Sequence, residues 1–335
     1  MFLSISARFL VNVEALNMVE SVGNVARHRR APIIVPSGKS GEYILVYAPV
    51  ISGESLANAY QRWIAKIAPQ ENLLVCSNCS QAFFVKHGDQ KVFGTLPWEK
   101  KLKNEMNKLD FHEIEKEIIK NCVVEDIGGF MLPETRPVKR TSKFQVGFMV
   151  PAYDQIKSSA LEAQFHVRYA PDPARHRIYY VELGSALYTF HFNLDIDGIG
   201  YTSMIKREPA VNDDERRLRI KVAIEALTQM LENKLFGARL SRYTPINDLR
   251  SLIVALGDPL PFTSSPGHEP EYINDTIKRG KYFSEIFTNE SVAGWFIDNE
   301  GLGVKPVEEV KIEKVSTVSE AFKNVIDFVT GRLES

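Results

Sequence analysis

Cys76 and Cys79 stand in the run Cys-Ser-Asn-Cys, the spacing that supplies half of a tetrahedral zinc site. The third cysteine, Cys122, is distant in the chain, and the nearest imidazoles are those of His87 and His112. Two ordinary cysteines near a helix end fit the same spacing, so no metal is assigned. A redox pair is disfavoured because no thioredoxin-like strand precedes the motif. Asp195 and Asp197 lie two residues apart in an extended run, on one face, where they can hold a hard cation. Asp197-Gly198 also reads as the turn that ends a strand, which is the preferred reading. Glu113, Glu115 and Glu117 read as the solvated face of a helix rather than as catalytic carboxylates. No GxxxxGK loop, HExxH pair or nucleophile triad occurs. No catalytic residue and no cofactor is therefore assigned.

Polyanion chemistry is better represented. Four windows hold basic residues with almost no acids: Ser21–Gly41 with Arg27, His28, Arg29, Arg30 and Lys39; Thr135–Tyr153 with Arg136, Lys139, Arg140 and Lys143; Ala163–Val181 with His166, Arg168, Arg175, His176 and Arg177; and Asn233–Asn247 with Lys234, Arg239 and Arg242. The acids collect elsewhere, chiefly in Glu105–Glu117 and the C-terminal tail. The net charge is −1, so bulk charge does not draw a nucleic acid and any such site must be made locally. Isolated charge runs are ordinarily solvated surface. Four segregated windows point to one groove if folding joins them.

The elements that must position these residues follow from periodicity. Ile5, Ala7, Phe9, Val11 and Val13 alternate with Ser6, Arg8, Leu10 and Asn12, a half-buried strand. An acid-free basic loop follows, then the apolar strand YILVYAPV. Ser52-Gly53-Glu54 opens a helix with Leu56, Tyr60, Trp63, Ile64 and Ile67 on one stripe, stopped by Pro69. The basic loop and the unpaired N–H groups of that helix suit a phosphate. Trp98–Lys120 reads as one helix, packing Leu102, Met106, Leu109 and Ile114, and Gly128-Gly129 breaks a possible strand in VVEDIGGFML. Phe144, Val146 and Phe148 alternate in a basic hairpin or loop. In Gln164–Tyr169, His166 and Arg168 share the polar face of a strand.

In ALYTFHFNLDIDGIG, Tyr188, Phe190, Phe192, Leu194 and Ile196 share one face, against Thr189, His191, Asn193, Asp195 and Asp197. This reads as an antiparallel strand buried on one side, its aromatics in the core, so that any nucleic acid would be held by loops and edges rather than by stacking across the sheet. Asn212 caps a long helix whose Arg216, Arg217 and Arg219 pair with acids on a solvated face and which Gly237 ends. GARLSRYTP leaves it as a short basic strand, and Gly237 and Ala238 permit close backbone approach. GDPLPFTSSPGHEP is a long loop. A last helix from about Ser319 buries Phe322, Val325, Ile326 and Val329 and ends at Gly331.

With 335 residues the chain holds one core with sizeable insertions, or two domains. Hydrophobic residues at 44% and charged residues at 25% are ordinary globular values, no apolar run is long enough to span a bilayer, and no cleavable signal is evident. Three cysteines argue against a disulfide framework, and a soluble cytoplasmic protein with no membrane partner is expected.

The runs RFLVNVEALN, VGNVARHRRAP and YAPVISGESLANAY, followed in order by CSNCSQ, TSKFQVGFMVPA, QFHVRYA and LFGARLSRYTP, resemble the Cascade backbone subunit of archaeal type I-A CRISPR systems, the DevR-type autoregulator family. The likeness covers roughly the first three quarters of the chain. It implies an α+β fold: a ferredoxin-like, RNA-recognition-type antiparallel sheet with helical and hairpin insertions, crescent-shaped. Residues 1–70, 121–150 and 183–260 would form the discontinuous core, 71–120 a helical insertion, 135–182 a basic hairpin overlapping the core edge, and 261–335 a C-terminal loop and helix packed on the core. A thumb-like protrusion with Phe144 or Met149 at its tip is implied too. Such a subunit binds CRISPR RNA, stacks with copies of itself in a helical filament among other Cascade subunits, and leaves bases free to pair with target DNA. Related type III backbone subunits cleave RNA with an aspartate after the first strand. Here Val22–Ser40 holds no acid, so a non-enzymatic role is expected. The alternative is a metal-dependent ribonuclease using Asp195, Asp197 or the glutamate helix. The family's older name suggests DNA-binding autoregulation, but no helix-turn-helix is evident. The residues expected to contact RNA are Asn17, Arg27, His28, Arg29, Arg30, Ser52, Gly53, Lys139, Arg140, Lys143, Phe144, His166, Arg168, Gly237, Arg239 and Arg242.

Overall fold

The computed structural model describes residues 1–14, 18–22, 25–89, 94–133, 137–233, 236, 246–287, 291–307 and 309–334. The chain opens with strands β1 (Phe2–Glu14), β2 (Met18–Val22), β3 (Val25–His28), β4 (Arg30–Pro36) and β5 (Tyr43–Pro49), then helix α1 (Gly53–Ile67). A helical segment follows, with α2 (Ser77–Ser80), α3 (Pro97–Glu105), α4 (Phe111–Asn121) and α5 (Val123–Gly128). Short strands β6 (Phe130–Leu132), β7 (Val138–Arg140) and β8 (Phe144–Val146) lead to β9 (Ala160–Arg168) and the long β10 (Arg177–Asp195). Then come α6 (Asp213–Glu232), β11 (Ile246–Asp258), α7 (Tyr272–Ile286), β12 (Ser291–Asp298), β13 (Lys311–Lys314) and α8 (Val318–Glu334).

One sheet runs β13-β12-β11-β1-β10-β3-β2, with β8 and β9 on the other edge of β10. At its centre β8, β10, β1 and β11 lie side by side, each antiparallel to its neighbour. The alternation in β1 and β10 sets the register: Ile5 faces Phe192, Ala7 faces Phe190 and Phe9 faces Tyr188. These side chains form the main core with α1, α6 and α8. Phe144 and Phe192 stack at 5.6 Å and Tyr60 meets both edge-on, while the Tyr60 hydroxyl donates to the Ala223 carbonyl at 3.0 Å, tying α1 to α6.

Several expectations need correction. The polar faces of β1 and β10 are not solvated: Ser4, Ser6 and Arg8 are fully buried. The proline-rich stretch after β11 crosses them, with Ser264 bonded to Ser4 and Ser6, and α7 packs a second core over β11 and β12. Arg8 is neutralised there by Asp154 and Glu300 at 2.8 and 3.0 Å. The C-terminal quarter is more than a loop and a helix, since it adds two strands to the sheet. Gly331 lies inside α8 rather than ending it. The basic stretch after β2 is strand, and β4 pairs with β5 in a separate ribbon. Trp98–Lys120 is two helices, the second capped by Asp110. The run before Gly128 is helical. Gly129, at φ +69°, is required because a Cβ there would sit 2.5 Å from the Arg140 carbonyl.

The buried polar layer carries a pH signature. Burial holds His191 and His268 below the ordinary imidazole value, His268 adding its charge against His191, while Glu269, raised by burial and by Asp154, contributes in the opposite sense. A depressed folded-state value means that the unfolded chain takes the proton first. The stabilisation is complete above about pH 6.5 and is lost as pH falls below it. Thermal melts across that window should show a His191→Asn, His268→Asn double variant losing stability less steeply than the parent chain. Parallel profiles would contradict this.

Candidate nucleic-acid interface

The free end of β10 extends beyond the core. There β3 pairs with it through Tyr180–Val25 and Val181–Ala26, and β9 through Tyr180–Phe165 and Tyr179–His166. Directly opposed residues share a face. One face carries Tyr180, Phe165 and Ile178, which are exposed, and Arg27, exposed on β3. Phe165 and Tyr180 meet edge-on at 5.7 Å. The other face carries Tyr179 stacked on His166 at 5.3 Å, with the Arg168 guanidinium 5.8 Å from the Tyr179 ring. Arg168 stands directly opposite Arg177, and both are exposed. Opposed like charges on a ladder are destabilising until an anion joins them. Nearby, Tyr169 is 83% exposed and meets His176 edge-on at 5.1 Å. Cations interleaved with exposed rings can hold a phosphate backbone and stack its bases.

Arg27, Arg30, His166 and Arg168 are therefore brought to one end of the sheet. Arg30 is half exposed and lies 3.5 Å from Glu182. The Arg29 carbonyl accepts from the Val50 amide at 3.0 Å, and the Arg29 charge helps hold the Glu54 carboxyl at the start of α1 below its usual range, after hydrogen bonds from the Glu54 amide and from Ser52. His28 is a correction: alternation turns it inward, where it is buried and its amide donates to Glu182. Ser52 and Gly53 are corrections too. Ser52 is buried, with its hydroxyl accepting from the Ser55 amide, and the Val146 carbonyl approaches Gly53 so closely that a Cβ would lie 2.8 Å away. The N-terminus of α1 is thus covered by the end of β8 and the residue after it, and is no open phosphate cradle. Asn17, Gly237, Arg239 and Arg242 lie outside the described residues.

The second basic window does not join the groove. Fifteen residues of β10 separate Tyr179 from Asp195, roughly 50 Å of extended strand, and Lys143 sits at the Asp195 end, 3.7 Å from that carboxylate. Burial and the nearby Arg140 charge lower the Lys143 ammonium. Phe144 and Met149 are core residues rather than a thumb tip. Lys139 is exposed, but Arg140 is buried in an ion network. Arg140 binds Asp126 at 2.5 Å, Glu115 at 3.5 Å and the carbonyls of Asp126, Gly198 and Tyr201. Arg219 holds the other Asp126 oxygen at 2.8 Å and Glu215 at 2.6 Å. Glu115 and Arg219, expected on solvated faces, are fully buried here: Arg219 keeps the expected pairing with the adjacent Glu215, but Asp126 and Arg140, remote in sequence, draw both side chains inside.

The candidate catalytic acids are also engaged. Asp195 accepts from the Gly198 amide and pairs with Lys143, while Asp197 pairs with the Met1 amine and lies 3.9 Å from Arg216. Sequence reasoning did not single out Phe165, Arg177, Tyr179 and Tyr180, which the structure places beside His166 and Arg168. The signal was present in Arg-Ile-Tyr-Tyr, where the basic turn hands over to an alternating strand.

A family model described as "CRISPR-associated negative auto-regulator DevR/Csa2" matches residues 5–277. Among curated proteins, the chain is 39% identical to a "CRISPR-associated aCascade subunit Cas7/Csa2 2" of Saccharolobus solfataricus over 306 residues, 89% of this chain and 92% of the relative. It is 26% identical to a "CRISPR-associated protein Cas7/Cst2/DevR" of Methanocaldococcus jannaschii over 344 residues, 98% of this chain and 99% of the relative. Among solved structures, its fold resembles a chain of a "CRISPR RNA-guided surveillance complex, pre-nicking" with a TM-score of 0.56 at 11% identity, covering 98% of this chain and all of that one.

The two kinds of arginine predict different outcomes. Arg140→Ala leaves Glu115 and part of Asp126 uncompensated in the interior and should cost about 3–5 kcal/mol. The neighbouring Lys139→Ala should stay within about 0.5 kcal/mol of the parent. Denaturant unfolding of both variants measures the contrast, and equal small effects would contradict the buried network.

Proposed function

This chain belongs to the DevR/Csa2 family of CRISPR-associated proteins, and on that premise we propose that it is the RNA-binding backbone subunit of a type I-A surveillance complex. In this reading it lies along a CRISPR RNA beside further copies of itself and other Cascade subunits, in the cytoplasm, and leaves bases free to pair with target DNA. The observation that carries the RNA contact is the opposed pair Arg168 and Arg177 beside the His166–Tyr179 stack. The fold reading is that β1-α1-β8-β10-α6-β11, ordered β11-β1-β10-β8, is a ferredoxin-like βαββαβ core. Self-association is supported by the β4–β5 ribbon, where Ile34, Tyr43, Leu45 and Tyr47 are each more than half exposed and need a cover that the next copy would supply. A non-enzymatic role is favoured because Asp195 and Asp197 are held by separate structural partners. Among the described residues, no helix is long and apolar enough to cross a membrane.

RNA titrations over a salt series test the contact. Log affinity should fall with log salt at about −0.7 per phosphate engaged, and Arg168→Ala, Arg177→Ala and Arg27→Ala should each flatten the slope by roughly one contact. Unchanged slopes in all of them would remove this end of the sheet from the interface. His166→Ala should weaken RNA binding while leaving the melting temperature in place, because it deletes no core contact. A lower melting temperature with full RNA affinity per folded molecule would make His166 structural. Incubation with Mg²⁺ or Mn²⁺ should leave the RNA intact, whereas defined products that vanish in Asp195→Ala would establish the ribonuclease instead.

A further inference from the structure

The helical segment between α1 and β6 gathers all the cysteines of the chain at one point. Cys76 precedes α2, Cys79 lies within it, Cys122 joins α4 to α5, and Glu125 lies in the first turn of α5. The three sulfurs and a Glu125 carboxylate oxygen all lie within 4.8 Å of one another, and all four residues are buried. Cys76 and Cys79 approach the same Glu125 Oε1, at 3.4 and 3.9 Å. The distance in sequence between the Cys76–Cys79 pair and Cys122 disappears because the Val123 amide donates to the Leu74 carbonyl at 3.0 Å, laying the start of α5 against the chain that enters α2.

We propose that Cys76, Cys79, Cys122 and Glu125 form a structural zinc site, with Glu125 as the fourth ligand through Oε1 and His87 as its outer support. A tetrahedral ion about 2.3 Å from each thiolate sets sulfur–sulfur edges of about 3.8 Å. The observed spread is within an ångström of that. Thiolate-rich donors select Zn²⁺ over Mg²⁺ or Ca²⁺, and a filled set of four protein ligands is the closed geometry of a structural rather than a catalytic ion. His87 Nδ1 meets Glu125 Oε2 at 2.6 Å, leaving Oε1 turned to the sulfurs. That is the arrangement by which a ligating carboxylate is oriented by a hydrogen bond behind it. The Lys86 Nζ donates to the Gly128 carbonyl at 2.7 Å, holding the chain beside His87 to the end of α5. Metal binding expels the thiol protons to solvent. The ion would hold α2, a four-residue helix too short to persist alone, and the irregular chain that carries His87.

The test uses the full chain, purified without a polyhistidine tag from cells grown with zinc. Elemental analysis should find about one zinc per chain, released by a mercurial that titrates the thiols. Replacement with Co²⁺ should give the thiolate-to-metal charge-transfer bands of a tetrahedral site. Cys79→Ser and Cys122→Ser should lose the zinc, and Glu125→Gln should retain it more weakly, while His166→Ala, remote from the site, should keep it in full. If the cysteine variants fail to fold, the measurements on the parent chain still decide. Zinc below about a tenth per chain after incubation with Zn²⁺, with no cobalt–thiolate bands, would overturn the proposal. So would a disulfide recovered between Cys76 and Cys79, or zinc unchanged in both cysteine variants.

Discussion

Asp126, held between Arg140 and Arg219 with no exposure to water, is the joint on which the arrangement of this protein turns. It lies in α5, Arg140 ends β7, and Arg219 lies in α6 against the central sheet. The same carboxylate accepts from the Gly200 amide, so the turn after β10 is fixed as well. A charge taken fully out of water is strongly unfavourable unless every lone pair is met, and the geometry here meets them. The helical segment is thereby locked to the sheet at one end of β10, which leaves the other end free to project.

That constraint divides the basic residues into two populations. Arg8, Arg140 and Arg219 are consumed inside the molecule, each paired with a carboxylate. Arg27, Arg168 and Arg177 face solvent at the far end of β10. With a net charge of −1, attraction for a polyanion depends on such local surplus rather than on the whole chain. The aromatic rings follow the same partition. Phe190 and Phe192 build the core, whereas Phe165 and Tyr180 leave their faces open at the projecting end. One strand thus serves as a core element along most of its length and carries exposed cations and rings at its tip.

Much of this was legible in the sequence because it depends on neighbours in the chain. The alternation of Ile5, Ala7 and Phe9, the Ser52 and Asn212 caps and the aromatic face of β10 are local patterns, and the structure keeps them. What was not legible depends on partners remote in sequence. Arg8 looked solvent-facing because Asp154 and Glu300 lie far along the chain. Glu115 looked solvated for the same reason, its partner Arg140 lying beyond the end of its own helix. Cys122 looked isolated until α5 folded back onto Leu74. The basic windows suggested one groove, but a period-two strand decides which cations face out, and a 19-residue strand keeps the windows apart.

The most direct test of the account is a photocrosslinking map of the complex between this protein and a thiouridine-substituted CRISPR RNA, read by mass spectrometry of the modified peptides. The account places the adducts on the rings at the projecting end of β10 and β9, namely Phe165, Tyr179 and Tyr180, and none on the peptide containing Arg140 and Phe144. Adducts confined to that second peptide, with the tip of β10 unmodified, would contradict it.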